Sequence, residues 1–555
     1  MAAATILAAS FHTPLLLLGV YRLSYDAYLH MFFADHYLRD WWSLWEPRWY
    51  TSFSVASYPP LAHQGMALLA RFVGLDVAFG LMLLGGLLLL PMAVHRFAGA
   101  FVPPVAAGAA ALVAPLVPAV ALVSYAFGQL PSLWGMVLGL LWLGWLYRYL
   151  VTGHGLALVV LWLAVVTSIH HLTLVLLLPA GGLSVMTKAL MDAPTARGRV
   201  LQHGGLAFLL GGLAALAVVF PFWAWSRDFV QQAPIDHASR HNFLTSADAR
   251  DMFLWPLYGP LLPLPLVAVS FALRSRTHFP LALLSAFLAL VGLGGTTPLP
   301  SLLYGPLWEW LTYDRFSVWA SLTVLPVVGL LWMEIKSRAP AKWGRALGAF
   351  ALMLLATAAV YAATLPLTRI IQPRQLDLAP AARFLDSGER SAWRYITFGL
   401  GDQMNKLAFM TDAGSVDGSY HTARKLPELT SSGVGQLDAG LWWDPSGRVL
   451  TPFLEHQEHY GLRWAFLNDA RYEPFLSRFG WHETATLDDG LRVWEPRMIS
   501  PPPVLGTAQS APLESVAWGG LPLLALALAL AATWRQARLH GPATSCPDPN
   551  EAHTP

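Results

Sequence analysis

The sequence predicts a mainly α protein, a polytopic transmembrane helix bundle of about twelve spans with a C-terminal extracytoplasmic α/β domain. Three observations carry that expectation. Of the 555 residues, 55% are hydrophobic and only 12% are charged, about half the charged fraction of an ordinary soluble domain. Apolar runs at 79–91, 105–123, 204–222 and 521–533 approach the roughly 20 residues that a helix needs to cross about 30 Å of hydrocarbon. One long stretch of ordinary polarity, 367–513, interrupts this pattern before the last apolar run.

Taken in order, apolar segments fall at 4–21, 77–95, 101–123, 131–150, 155–169, 172–187, 204–224, 256–273, 279–294, 316–335, 345–366 and 516–534. The connections that hold Arg96, Arg148, Lys188/Arg197/Arg199, Arg274/Arg276, Lys336/Arg338/Lys342/Arg345 and Arg535/Arg538 then share one side. The positive-inside bias makes that side the cytoplasm, with the N-terminus there and the chain multi-pass in the inner (plasma) membrane. The first segment lacks the basic n-region of a signal peptide, and the alternation of sides requires its retention. Segments 155–169 and 172–187 are short and meet at Ser168, His170 and His171, so they are either two crossings or one re-entrant hairpin.

Three outer stretches remain: 22–76, 225–255 and 367–513. The organisation is therefore a bundle over 1–366, an extracytoplasmic domain over 367–513, and a final helix with a cytoplasmic tail over 514–555. Within the domain, 394–399, 462–467 and 484–494 alternate or turn like strands, the last through Asp489-Gly490. Pro501-Pro502-Pro503 starts a stiff return linker. The tail after Arg538, rich in Pro, Thr and His, is expected to be disordered. A net charge of +2 gives no reason to expect a nucleic acid. The sole cysteine, Cys546, excludes a disulfide framework and any multi-cysteine zinc site. The two halves do not echo one another, which weighs against the repeat-built transporters.

Reactive groups gather at the outer side. In the first loop, a helix at 100° per residue places Asp26, His30, Phe33, Tyr37 and Asp40 on one face and Asp35 nearly opposite. A carboxylate just beyond the first span, beside an imidazole and under aromatics, suits a base that takes a proton from a hydroxyl. The alternative is an interfacial amphipathic helix whose Trp41, Trp42, Trp45 and Trp49 form an aromatic belt. Tyr58-Pro59-Pro60-Leu61 is a rigid turn that sets Tyr58 and His63 toward a ligand or into solvent. Adjacent His170 and His171 in an apolar hairpin are functional candidates, since a buried imidazole needs a cavity or a partner. In the middle loop, Asp236, His237, Arg240 and His241 belong to a lid over the site or to a plain solvated connection. Asp35, Tyr58, His63 and His241 are candidate substrate contacts.

The order of these features resembles the GT-C class of membrane glycosyltransferases. A long outer loop opens with Tyr25-Asp26-x-x-x-His30 and closes with Tyr58-Pro59-Pro60-Leu61; a multi-span bundle and an outer domain follow. More narrowly, the chain resembles bacterial membrane proteins catalogued as "6-pyruvoyl-tetrahydropterin synthase-related". Those motifs are Gly399-Leu-Gly-Asp402-Gln403, Thr411-Asp412-Ala-Gly-Ser415-Val-Asp417-Gly418-x-Tyr420-His421 and Leu426-Pro427-Glu428-Leu429. Nothing in the residues supports pterin chemistry.

The resemblance implies inverting transfer of a sugar from a polyprenyl-phosphate donor to an envelope glycan, lipid or protein at the outer leaflet. Asp26 would be the base, with His30 beside it. Many members carry two adjacent acids there, whereas Asp26 stands between Tyr25 and Ala27, so no metal or other cofactor is expected. A lipid phosphate leaving group needs cations. Arg315, at the outer mouth of the tenth segment, is the first candidate, with His170, His171 and Arg240 as further donor-phosphate groups. Two other classes compete. A flippase of lipid-linked saccharide would place ionisable residues near the midplane, and a non-catalytic envelope assembly protein would make Asp26 dispensable.

Overall fold

A computed structural model describes residues 1–338, 340–368, 372–503 and 511–540. The expected disorder after Arg538 falls largely, and the linker after Pro503 wholly, outside the described residues. The chain is mostly helical, 71%. In order, α1 is Ala2–Leu17, α2 Ala27–Arg39, α3 Leu61–Val73 and α4 Leu75–Ala98. A bent pair, α5, joins Pro104–Leu116 to Pro118–Ala126; then come α6 Leu130–Thr152, α7 Leu156–Ile169, α8 Thr173–Asp192 and α9 Arg197–Val218. A second bent pair, α10, joins Ala247–Leu261 to Pro263–Ala272; α11 Arg276–Gly292, α12 Asp314–Arg338, α13 Lys342–Thr368 and α14 Pro512–Arg538 complete the set.

Each of the twelve apolar segments is thus helical. Among the described residues seven, α4, α6, α8, α9, α12, α13 and α14, are long and apolar enough to cross a membrane, and the bent pairs bring the number to nine. Helices α1, α7 and α11 are shorter, so length and apolarity by themselves carry nine crossings at most. The 45° bend in α5 falls at Val117, extended at ψ 124, because Pro118 disfavours helical backbone in the residue before it.

Helix α6 runs through the middle of the bundle, with 83% of its apolar window buried, whereas α13 at the rim has 11%. Small residues let the helices close on one another. A Cβ on Gly135 of α6 would stand 2.8 Å from the Cβ of His170 and 2.7 Å from Thr173 Oγ1. Only glycine lets the junction of α7 and α8 sit against α6 there.

The segment after α1 is not an interfacial amphipathic helix. Every residue from Ala27 to Tyr37 in α2 is buried, packed against α3 and against the helix Gln403–Met410 from the block after α13. Trp49 is fully buried and stacks on Phe32 with ring centroids 3.7 Å apart, and Trp41 donates to the carbonyl of Gly519 at 3.0 Å. These rings pack protein against protein rather than forming a lipid belt. A short hairpin, β1 Trp45–Glu46 with β2 Phe53–Ser54, brings in Arg48. Its guanidinium donates to both Glu46 oxygens, at 2.8 and 2.7 Å, and to Asp35, while His36 Nδ1 meets Glu46 at 2.9 Å. The network is almost fully buried, so each charge depends on its partners.

The block after α13 contains a four-stranded sheet in the order β3-β4-β6-β5. Its strands are β3 Arg394–Phe398, β4 Leu462–Leu467, β5 Trp481–Thr486 and β6 Arg492–Pro496. β3 runs parallel to β4, and the other pairs are antiparallel. The segment expected at 484–494 is the β5–β6 hairpin, turned by Gly490 at φ +84 with Asp489 accepting from the N–H of Leu491 at 2.9 Å. One face packs Tyr395, Trp464 and Phe466 against Leu385 and Met404. Ile396, Phe398 and Leu467 join the same apolar core as the bundle.

Candidate functional site

Asp26 occupies the N-cap position of α2, yet its side chain makes no capping hydrogen bond. Asp402, from the block after α13, does the capping, accepting from the N–H of Tyr28 at 2.8 Å. The Asp26 carboxylate is thereby released from the role its position would ordinarily give it. The backbone before α2 is pinned to the end of α5, where the N–H groups of Tyr25 and Asp26 donate to Ala126 and Phe127, each at 2.9 Å.

The freed carboxylate faces the start of α12. Burial raises its pKa to about 7, with the charge of Arg315 pulling it down and that of Asp314 pushing it up. Both lie in the first turn of α12, set by Ser239, whose hydroxyl accepts from the N–H of Tyr313 at 3.0 Å, and by Ser317, which donates to the carbonyl of Gly292 at 3.0 Å. Among the described residues, Asp314 Oδ1 and Arg315 Nε are buried with no hydrogen-bond partner. Buried polar atoms without a partner beside a cavity are a place where a ligand can bind.

Arg315 shares a cavity of about 10 Å³ with Gln129, Ser132 and His170, enough for roughly one water. His170 breaks the helix between α7 and α8 with extended backbone. Its Nδ1 meets Thr173 Oγ1 at 2.8 Å and its Nε2 faces Ser132 Oγ at 3.3 Å. Arg315 and His170, carried by α12 and the α7–α8 junction, therefore share one cavity, and Asp26 at the start of α2 stands within electrostatic reach of Arg315.

His30 does not pair with Asp26 as the helical face suggested. Its Nδ1 meets Nε2 of His63 at 3.0 Å, and the two rings stack 5.3 Å apart. Burial lowers the pKa of His63 to about 3 and that of His30 well below its ordinary value, so both stay neutral. Tyr58, 5.1 Å from the His63 ring, packs edge to face on Tyr420 at 4.8 Å, whose hydroxyl donates to Ser57 O at 2.9 Å. Tyr58 and His63 belong to this wall and not to a solvated turn.

The middle loop is held rather than free. Gln232 donates to Arg424 O at 3.0 Å, Ala233 N–H to Thr430 O at 2.5 Å, and Phe243 N–H to Thr296 Oγ1 at 2.8 Å. It brings His237 within electrostatic reach of Asp314, Arg240 and Arg315. The block after α13 brings His421 within electrostatic reach of Arg424, His237, Arg240 and Arg315. Burial lowers His237 to about 4 and His421 to about 3. Arg240 donates to the carbonyl of Ile235 at the edge of this group. Of these, residue pattern gives His237 as part of the middle loop that lies over the site or in solvent; Asp314, Asp402 and His421 are not singled out by it, and the last two only fall within the Gly399–Gln403 and Thr411–His421 motifs.

Three candidates stand elsewhere. Asp35 is taken by Arg39 at 2.6 Å and by Arg48, which binds it into the core of the first loop. His241 is half exposed and meets Asp236 at 2.8 Å. His171 turns from the cavity to pack on Phe222, ring centroids 4.4 Å apart.

This arrangement was compared with known proteins. No protein-family profile matches the chain, and no curated protein matches it. Solved structures do. The apo oligosaccharyltransferase of Archaeoglobus fulgidus superposes with a TM-score of 0.56 at 10% identity, over 83% of this chain and 68% of that one. The fold is that of the GT-C membrane glycosyltransferases. A structure of AglB, the oligosaccharyltransferase of the same organism, with an inhibitory peptide and a dolichol-phosphate has a TM-score of 0.50 at 11% identity, over 82% and 69%. ArnT from Cupriavidus metallidurans bound to undecaprenyl phosphate has a TM-score of 0.48 at 12% identity, over 89% and 99%. With seven helices among the described residues long and apolar enough to cross a bilayer, this chain is a membrane protein.

Proposed function

We propose that this protein transfers a sugar from a polyprenyl-phosphate donor to an envelope acceptor, a glycan, lipid or protein, with inversion at the anomeric carbon. The observation that carries the proposal is Arg315, which shares a cavity with His170 and lies within electrostatic reach of Asp26, an acid free of any capping duty. An acceptor hydroxyl gives its proton to Asp26 as its oxygen forms the new bond to the anomeric carbon. The bond from that carbon to the phosphate oxygen breaks, and the lipid phosphate leaves with the electron pair. Arg315 offsets its charge, and preorganised donors of this kind contribute most where charge develops. A carboxyl near pH 7 is matched to this work, since a general base is most effective when its pKa lies near the working pH.

His170 holds the donor phosphate beside Arg315, and Arg240, with His237, stands at the rim. His30 acts through His63 by fixing the wall opposite Asp26. The mechanism uses no metal assembled in the first loop, because Asp35, the nearest acid by sequence, is committed to Arg39 and Arg48. We place the site and residues 367–513 outside the cytoplasm, with all twelve helical segments counted as crossings. The narrower kinship with the "6-pyruvoyl-tetrahydropterin synthase-related" proteins rests on the outer-domain motifs and fits this reading.

The test is Asp26→Asn and Arg315→Ala in cells, followed by analysis of envelope glycans and polyprenyl-phosphate sugars. Loss of a glycan with accumulation of its lipid-linked donor is expected. Unchanged glycans at normal protein levels would remove the enzyme reading in favour of an assembly protein.

A further inference from the structure

The far end of the bundle carries a second concave surface. Helix α6 leads away from the catalytic cavity, and at 1.5 Å per residue its other end lies roughly 30 Å off. There a groove of about 480 Å³ opens between the start of α7 and the last turns of α14. Its walls are apolar, from Leu156, Ala157, Ala531 and Ala532, and its mouth holds Arg535, His154 and Gln536. No carboxylate lines it.

Three observations identify what fits. The charge is one-sided: Arg535 makes no ion pair among the described residues, and the neighbouring Arg538 lies over Trp534 at 3.7 Å instead of meeting an acid. Trp534 is 58% exposed, and an exposed tryptophan under a cation at the end of an apolar helix marks the headgroup level of a bilayer. The α14 wall faces outward over most of its surface, only a third of its apolar window being buried. It is held in place from behind, where Trp162 Nε1 donates to Thr533 Oγ1 at 3.0 Å.

We propose that this groove is a binding site for an anionic phospholipid. The phosphate sits on Arg535, with Gln536 and His154 as further polar contacts, and one acyl chain lies along Leu156, Ala157, Ala531 and Ala532. A zwitterionic lipid offers the same chain but cancels the charge that Arg535 meets. Such a lipid would tie α14, which follows the outer domain, to α7, which carries His170 at its other end. The proposal rests on the membrane assignment and not on the sugar-transfer reading.

The experiment is native mass spectrometry of the full-length purified protein titrated with phosphatidylglycerol or phosphatidylcholine of identical chains. Retention of phosphatidylglycerol over phosphatidylcholine is expected, with Arg535→Gln weakening it about fivefold, the effect of one cation at a membrane surface. Ala157→Trp, which fills the wall without changing charge, should weaken it as well, so a failure of one variant to fold leaves the other decisive. Equal retention of the two lipids would overturn the proposal, as would displacement by millimolar inorganic phosphate. Loss on Arg315→Ala but not on Arg535→Gln would assign the lipid to the catalytic cavity and also overturn it.

Discussion

Asp402 accepts a hydrogen bond of 2.8 Å from the backbone N–H of Tyr28, so the block after α13 holds the first turn of the helix that presents Asp26. Burial and the nearby charge of Asp26 push the Asp402 carboxyl well above its ordinary range, and Asn405 donates to its other oxygen at 2.5 Å. Asp402→Ala should cost about 1 kcal/mol of local stability, the usual worth of a helix cap. Sugar transfer in purified protein should fall more than that stability loss, because Asp26 is then free to turn back and cap α2. Activity that tracks only the folded fraction would show that Asp402 does not position Asp26.

The rate of transfer should depend on pH through Asp26. A base must be deprotonated, and burial holds this one at about 7, so kcat/KM should rise with pH through about 7 and level off above it. Asp26→Asn should lower the rate by roughly 10²–10⁴ and flatten that limb. A rise centred near pH 4 would mean that Asp26 is not buried in the active state.

Arg48 lies between two buried carboxylates. Arg48→Met leaves Glu46 and Asp35 without their shared cation, and breaking a buried network by removing one partner costs about 3–5 kcal/mol. A drop in Tm with unchanged KM in the surviving folded protein is the expected result. A change in KM at unchanged Tm would move Arg48 from the scaffold into the site.

The His30–His63 pair predicts acid sensitivity of a definite sign. His63 is neutral when folded, with its pKa at about 3, whereas the unfolded chain takes up its proton below about 6.5. Stability therefore falls as pH drops below about 6.5, by about 1.4 kcal/mol per pH unit for this group, until pH nears 3. Thermal unfolding at pH 7 and pH 5 should show this loss in the native protein and a smaller one in His63→Phe. Equal slopes would mean that His63 reaches solvent.

The helices were legible because crossing a bilayer requires long apolar runs, which composition exposes directly. The bend of α5 was not anticipated, although Pro118 is its cause. Asp26 and Arg315 could be singled out because each lies just outside an apolar segment, where a charge is unusual. Asp35 was misplaced as a substrate contact because its partner Arg48 is supplied by a hairpin whose fold local periodicity does not specify.

What depends on chain-local physics was therefore present in the linear order: the apolar segments, the separate polar block with its Asp489-Gly490 turn, and an acid standing just beyond the first segment. What depends on contacts between distant residues was decided only by tertiary structure. Asp402 lies 374 residues from the N–H it caps, and His30 takes His63 as its partner from the next helix. A helical wheel gives the direction of a side chain but not what stands opposite. The pairing that frees Asp26 from capping arises only where Asp402, from the block after α13, meets the first turn of α2.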